Sequence, residues 1–135
     1  MISRRSILLP LAIATLSGGS LPVLAGSRRT DPIRLFDTDN DGTLDLAEVR
    51  KAASAMFERL DRDHDGTLDK RELGGRLSAK EFAAADPDHD GTLTEDEYLA
   101  VVEQRFNAAN PDKDGTLDAK ELNTSAGRAL LRLLR

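Results

Sequence analysis

The chain lacks residue types that often stabilise or functionalise a small protein. Its 135 residues include no cysteine and no tryptophan, and aromatic residues make up only 4%. Without cysteine, neither disulfide bonds nor thiolate metal sites can hold the fold together. The scarcity of aromatic side chains excludes an aromatic-rich core. The length indicates one small domain.

The N-terminus carries an apolar run with the features of an export signal. Arg4 and Arg5 precede apolar residues 7–16, and the stretch ends at the small residue Ala25. This order is typical of a cleaved signal peptide, so we expect residues 1–25 to be removed and residues 26–135 to form the mature domain. A buried helix of the mature fold is the alternative. The run is too short to span a bilayer as a stable helix, and no cysteine follows it to carry a lipid, so we expect no membrane anchor.

Residues 3–8 also resemble a twin-arginine signal, which directs export of an already folded chain. An ordinary Sec signal that contains two arginines is the alternative, and both routes predict a periplasmic protein. Cleavage after residue 25 removes two basic and no acidic residues, so the formal net charge falls from −5 to −7. That charge opposes nucleic acid as a partner and favours cations.

Four twelve-residue segments of similar sequence recur in the rest of the chain. They read DTDNDGTLDLAE at residues 37–48 (loop 1), DRDHDGTLDKRE at 61–72 (loop 2), DPDHDGTLTEDE at 86–97 (loop 3) and NPDKDGTLDAKE at 110–121 (loop 4). Each follows the pattern of an EF-hand loop, except that loop 4 opens with Asn. Four matches in one chain indicate an internal repeat rather than chance.

Each loop position has a mechanical role in this pattern. Positions 1, 3, 5 and 9 offer side-chain oxygens, position 7 offers its backbone carbonyl, and Glu at position 12 can close the site with both oxygens. Glycine at position 6 permits a sharp turn. The predicted metal ligands are Asp37, Asp39, Asp41, Thr43, Asp45 and Glu48; Asp61, Asp63, Asp65, Thr67, Asp69 and Glu72; Asp86, Asp88, Asp90, Thr92, Thr94 and Glu97; Asn110, Asp112, Asp114, Thr116, Asp118 and Glu121.

Other interpretations explain the loops less well. An acidic, solvated loop that holds no ion needs neither glycine at position 6 nor glutamate at position 12. His64 and His89 occupy position 4, which normally faces outward, so we interpret them as exposed polar residues rather than transition-metal ligands. The sequence shows no nucleophile–base pair and no phosphate-binding loop, so we predict no catalytic site, no organic cofactor and no enzyme.

The short spacers between the loops predict an unusual all-α arrangement. Residues 49–60, 73–85 and 98–109 are the only connections, and twelve residues give only about 18 Å of helix. Residues 49–60 and 98–109 must therefore each form one helix shared by two loops. Gly74 and Gly75 break the middle connection, and residues 78–81 form a capping box that restarts a helix. This geometry predicts that loop 2 pairs with loop 3 and loop 1 with loop 4.

Together, the spacers, the acidic loops, Pro87 and Pro111 at position 2, Asp at position 9 and the tail over residues 125–130 resemble lanmodulin. That family comprises periplasmic lanthanide-binding proteins of methylotrophic bacteria, and the resemblance covers about residues 32–135. It implies a compact three-helix bundle, ordering on metal binding and preference for lanthanides over calcium. It also implies that loop 4, opened by Asn110, is the weaker site.

The sequence departs from the family pattern in two respects. Thr38 and Arg62 stand at position 2 of loops 1 and 2, and Thr94 replaces Asp at position 9 of loop 3. The absence of proline at position 2 puts the selectivity of loops 1 and 2 in question. Hard oxygen ligands serve calcium as well, so a periplasmic calcium buffer or sensor is the alternative, and a dockerin-like interaction module is a third.

The leading hypothesis is a monomeric periplasmic carrier or buffer that binds up to four lanthanide(III) ions, with calcium as the weaker ion. Loops 1 and 2 each offer five carboxylates, more charge than a divalent ion neutralises. Partners would be metal ions and lanthanide-handling periplasmic proteins, and a dimer is the alternative oligomeric state. The sequence does not distinguish among lanthanides.

Overall fold

The computed structural model describes residues 31–135. The expected signal peptide lies outside the described residues. Within residues 31–135, no helix combines the length and the apolar character needed to cross a membrane.

The described residues are mostly helical, with four two-residue strands. The helices are α1 (Pro32–Phe36), α2 (Leu46–Leu60), α3 (Lys70–Leu73), α4 (Ala79–Ala85), α5 (Glu95–Ala109), α6 (Ala119–Leu122) and α7 (Ser125–Leu131). The strands are β1 (Leu44–Asp45), β2 (Thr67–Leu68), β3 (Leu93–Thr94) and β4 (Thr116–Leu117). One strand lies near the end of each acidic loop.

The two predicted shared helices are confirmed. Helix α2 is capped by Asp45 of loop 1 and ends against Asp61, the first residue of loop 2. Helix α5 is capped by Thr94 of loop 3 and ends against Asn110, the first residue of loop 4. Each helix has 15 residues, or about 22 Å at 1.5 Å per residue. Each therefore holds two consecutive loops at its opposite ends.

The predicted break in the middle connection is also confirmed. Gly74 ends α3 in a left-handed conformation with φ 57°, and Gly75 follows with φ 82°. Side chains with a Cβ resist this region, so glycine allows the chain to reverse here. Ser78 then starts α4 through a capping box with Glu81.

The four strands form two antiparallel pairs. Leu44 of β1 lies opposite Leu117 of β4, and Leu68 of β2 lies opposite Leu93 of β3. All four leucines are 0% exposed. Consecutive loops at the two ends of α2 or α5 are therefore not joined by strands, whereas loop 1 contacts loop 4 and loop 2 contacts loop 3.

The core lies between the helices and beneath the strand pairs. Helix α5 packs on both α2 and α7, and the rings of Phe57 and Tyr98 meet with their centroids 5.8 Å apart. The apolar residues that flank each loop are buried or packed against the core. The described residues contain seven helices rather than the three that the resemblance implies. The additional helices α1, α3, α4 and α6 are short and enter or leave the loops.

The last segment of the chain covers this core. Leu130, Leu131, Leu133 and Leu134 are buried. The Tyr98 hydroxyl donates a hydrogen bond to the Leu133 carbonyl. Burial raises the pKa of Tyr98 to about 12, so the phenol stays a neutral donor at physiological pH.

The bond between Tyr98 and Leu133 predicts a measurable loss of stability in Tyr98→Phe. The substitution keeps the ring but leaves a buried carbonyl without its donor, so the free energy of unfolding should fall by about 1 kcal/mol. Urea unfolding of the metal-loaded protein, followed by circular dichroism, measures this change. As a control, Leu35→Ala alters a side chain that is 48% exposed and should change stability by no more than about 0.5 kcal/mol. Equal midpoints for Tyr98→Phe and the native protein would contradict the prediction.

Candidate metal centres

All four loops share one backbone shape. The residue at position 4 has a positive φ in each loop, at 59° for Asn40, 56° for His64, 54° for His89 and 53° for Lys113. The glycine at position 6 has a φ between 81° and 84°, a region that side chains with a Cβ avoid. His64 and His89 are exposed, which fits their interpretation as outward-facing polar residues.

This backbone shape holds the first side chain of loops 1–3 in place. In all three loops, the N–H of the glycine at position 6 donates to Oδ2 of the aspartate at position 1 over 2.9 Å. The N–H at position 5 donates to Oδ1 of the same aspartate over 3.2–3.3 Å. Backbone donors thus favour the charged form of this carboxylate and fix its direction.

Loop 4 uses its first residue differently. With the amide of Asn110 oriented to satisfy its neighbours, the side-chain nitrogen donates to Asp112 over 2.6 Å and to Asp114 over 3.1 Å. Its oxygen accepts from the Gly115 N–H over 3.2 Å. A neutral amide therefore holds two carboxylates of the loop, whereas in the other loops a third carboxylate stands in its place.

The glutamate at position 12 is fixed by the helix that follows each loop. Its Oε2 accepts from the backbone N–H of position 9 over 2.8–3.1 Å in the four loops. The side chain at position 9 accepts in turn from the N–H of the glutamate. This reciprocal capping box starts a helix at each loop end and places the glutamate at its positive N-terminal end.

Three carboxylates converge in each loop, with ligand atoms within 4.8 Å of one another. The groups comprise Asp37, Asp39 and Glu48; Asp61, Asp63 and Glu72; Asp86, Asp88 and Glu97; Asp112, Asp114 and Glu121. Loops 1–3 thus bring together positions 1, 3 and 12, and loop 4 brings together positions 3, 5 and 12.

The remaining predicted ligands lie outside these groups. In loops 1–3 the aspartate at position 5 accepts from the N–H and hydroxyl of the threonine at position 7 over 2.8–3.0 Å; these pairs are Asp41–Thr43, Asp65–Thr67 and Asp90–Thr92. In loop 4 the corresponding bonds from Thr116 to Asp114 are 3.0 and 3.4 Å. The side chain at position 9 caps the helix that follows each loop; these residues are Asp45, Asp69, Thr94 and Asp118.

Crowding of like charges changes the protonation of these loops. A hydrogen bond with Asp37 raises the pKa of Asp39, and one with the first carboxyl of its own loop raises the pKa of Asp88. In loop 2, removal from water and a hydrogen bond with Asp61 raise the pKa of Asp63 to about 6. A bound cation would favour the ionised form of these carboxyls, so metal binding and protonation oppose each other.

The donor sets fit a hard cation. Every group of converging ligand atoms in the described residues consists of carboxylate oxygens alone, and oxygen donors suit calcium and similarly hard ions. Imidazole and thiolate, which suit softer transition metals, are absent from these groups.

Comparison with known families agrees with this geometry. The family model described as EF hand matches residues 32–52, 54–83 and 79–102, which contain loops 1, 2 and 3. The chain belongs to the EF-hand family. Loop 4 lies beyond the matched residues, and no curated protein matches the chain. Family membership and four converging acidic groups make this an EF-hand metal-binding protein, a family whose members generally bind ions rather than catalyse reactions.

Sequence reasoning did not identify the position 9 side chains as helix caps. It assigned them to the metal, although Asp45, Asp69 and Asp118 each precede a glutamate by three residues, as Thr94 precedes Glu97. That spacing is itself a capping-box signal, and it could have been recognised as readily as the one at Ser78. The bridging amide of Asn110 carried no comparable signal, because only the folded loop brings its partners together.

The strand pairs predict that a core mutation weakens loops two at a time. In Leu93→Ala, the contact with Leu68 is lost and stability should fall by about 2–5 kcal/mol. Metal binding should weaken in loops 2 and 3 and be nearly unchanged in loops 1 and 4. The amide NMR signals of the four position 6 glycines report each loop separately during a titration with diamagnetic lanthanum.

The matched variant Leu117→Ala removes the equivalent leucine from the other strand pair. It should weaken loops 1 and 4 and leave loops 2 and 3 nearly unchanged. If both variants weaken all four loops to the same extent, the strand pairs do not transmit binding.

Proposed function

We propose that the mature protein is a periplasmic lanthanide(III) carrier or buffer that becomes ordered when its EF-hand loops bind metal. The observation that carries this proposal is the convergence of three carboxylates within 4.8 Å in every loop. The loops supply so much negative charge that a strongly charged cation is the natural partner.

No ion pair neutralises these carboxylates within residues 31–135. Among the described residues, the ion pairs are Arg50–Glu103 and Arg105–Glu81, and neither includes a predicted ligand. Loops 1 and 2 each carry five acidic ligand residues, and loops 3 and 4 each carry four. Attraction grows with ion charge, so a trivalent ion offsets more of this repulsion than a divalent ion of similar size.

The resemblance to lanmodulin supports the same choice of ion. The short spacers, the acidic loops and the tail over residues 125–130 carry that resemblance. The departure at Thr94 preserves local structure, because its hydroxyl caps α5 as the aspartates cap their helices. It does remove one negative charge from loop 3. Arg62 adds a positive charge to loop 2, which modestly opposes cation binding there.

A periplasmic calcium buffer or sensor is the alternative function. It is favoured by membership of the EF-hand family and by the fact that each oxygen ligand also serves calcium. A sensor would expose an apolar surface to a partner when calcium binds. The two functions therefore differ in ion selectivity and in the consequence of binding.

We further propose that metal binding produces a compact three-helix bundle of α2, α5 and α7. Loops 1 and 4 and loops 2 and 3 would then fill as cooperative pairs, because an ion that orders one loop also orders the strand of its neighbour. The protein would act as a monomer that exchanges metal with lanthanide-handling proteins of the periplasm. A dimer is the alternative.

A titration of residues 26–135 tests the choice of ion. Lanthanum should increase the helical circular dichroism signal at free concentrations of roughly a micromolar or less, and calcium should require far higher levels. Potassium at matched ionic strength controls for simple screening of the carboxylates. Equal responses to lanthanum and calcium at similar free concentrations would overturn the lanthanide proposal and leave a calcium-binding protein.

Loop 4 should be the weakest site because Asn110 offers a neutral oxygen. Replacing it by aspartate adds a charge at position 1, so Asn110→Asp should tighten the last binding step by about tenfold, equivalent to about 1.4 kcal/mol. Competitive titration against a chelator measures that step, with Asn107→Asp on exposed helix surface as the charge-matched control. An unchanged last step would show that position 1 does not limit loop 4.

A further inference from the structure

Gly127 is the point of closest approach between α7 and the end of loop 4. A Cβ built on it would lie 2.2 Å from the Glu121 carbonyl oxygen, 2.5 Å from Leu122 Cα and 2.6 Å from Leu122 C. These are backbone atoms, so no side-chain rotation could make room. Glycine is therefore needed here for space, whereas the position 6 glycines have no such neighbour within 4 Å and are needed for their positive φ.

Hydrogen bonds hold the same two segments together. The Thr124 hydroxyl donates to the Glu121 carbonyl over 2.6 Å, and the Thr124 N–H donates to that carbonyl over 3.2 Å. The same hydroxyl accepts from the Gly127 N–H over 3.1 Å, which caps α7. Thr124 thus joins the first turn of α7 directly to the backbone of the glutamate that closes loop 4.

Loop 4 depends on this support more than loops 1 and 3 do. Glu48 and Glu97 lie in the first turns of α2 and α5, which have 15 residues each. Glu121 lies in α6, which has only four residues. So short a helix has little stability of its own, so the capping box that holds Glu121 depends on support from α7.

The segment after α7 is anchored beside loop 3, because the Leu133 carbonyl accepts from Tyr98, the residue after Glu97. Within α7, the Ala129 carbonyl accepts from Arg105 over 2.6 Å, nearer the loop 4 end of α5. The tail therefore spans from the exit of loop 3 to the exit of loop 4, two loops that the strands do not pair.

We propose that Gly127 is a positioning residue for metal binding at loop 4, because close docking of α7 sets the backbone of Glu121. This inference rests on the proposed metal-binding function and names a regulatory contact for one of its sites. Loop 4 holds its ion only when α7 is seated, so the docking of the tail controls the affinity of the last site.

The test is a site-resolved titration of Gly127→Ala in residues 26–135. The added methyl group must push α7 away from the Glu121 backbone, so metal affinity of loop 4 should fall by about tenfold or more. The Gly115 amide signal reports loop 4, and the amides of Gly42, Gly66 and Gly91 report the other loops. We expect a clear shift of the Gly115 titration to higher lanthanum concentration, a smaller shift for Gly42, whose loop pairs with loop 4, and little change for Gly66 and Gly91.

Ser125→Ala is the matched control, because it changes an exposed side chain in the same helical turn and should alter no site. If Gly127→Ala does not become ordered with metal, Thr124→Val decides the question. That variant removes the hydroxyl bonds to Glu121 and Gly127 without adding bulk, and should weaken loop 4 in the same direction but less.

Equal weakening of all four loops, or an unchanged Gly115 titration in a folded variant, would overturn the positioning role. Failure of the native protein to bind lanthanum would instead overturn the lanthanide proposal. In that case, the same comparison performed with calcium still tests Gly127.

Discussion

Repulsion among carboxylates is the constraint on which the rest of this structure depends. Each loop gathers three acidic side chains within 4.8 Å, and the ion pairs of the described residues supply them with no cation. Backbone N–H groups offset part of the charge at position 1, and the raised pKa values of Asp39, Asp63 and Asp88 reflect neighbouring carboxyls and removal from water. These compensations are partial, so a bound cation is what makes the loop conformation favourable.

The apolar part of the molecule arranges the four acidic loops so that they support one another. The buried position 8 leucines join loops in two strand pairs, while α2 and α5 keep consecutive loops apart. The tail adds a third link through Gly127 and Tyr98. A core with few aromatic side chains contributes limited burial energy, and we propose that metal binding and packing act together to order the chain.

The sequence predicted the elements whose signals are local. The spacer lengths specified α2 and α5 as single helices, Gly74 and Gly75 marked the reversal, and Ser78 marked the restart of the chain as α4. The three-dimensional roles of Asn110 and Gly127 were not predictable in this way. In the sequence, Asn110 indicates only a neutral ligand. Gly127 indicates only a weak helix former, because the backbone that lies against it is brought there by tertiary packing. The acidic residues themselves indicated an oxygen-ligand site, but such ligands are common to calcium and lanthanides, so the pattern alone does not identify the ion.

The most direct test of the account is the dependence of unfolding free energy on free metal concentration. An ion that binds only the folded protein adds stability in proportion to the logarithm of its free concentration once its site is filled. With four filled sites, each tenfold increase in free lanthanum should add about 5.5 kcal/mol to the free energy of unfolding. Calcium at the same free concentrations should add little. A free energy of unfolding that does not depend on lanthanum, or that depends equally on both ions, would contradict the account.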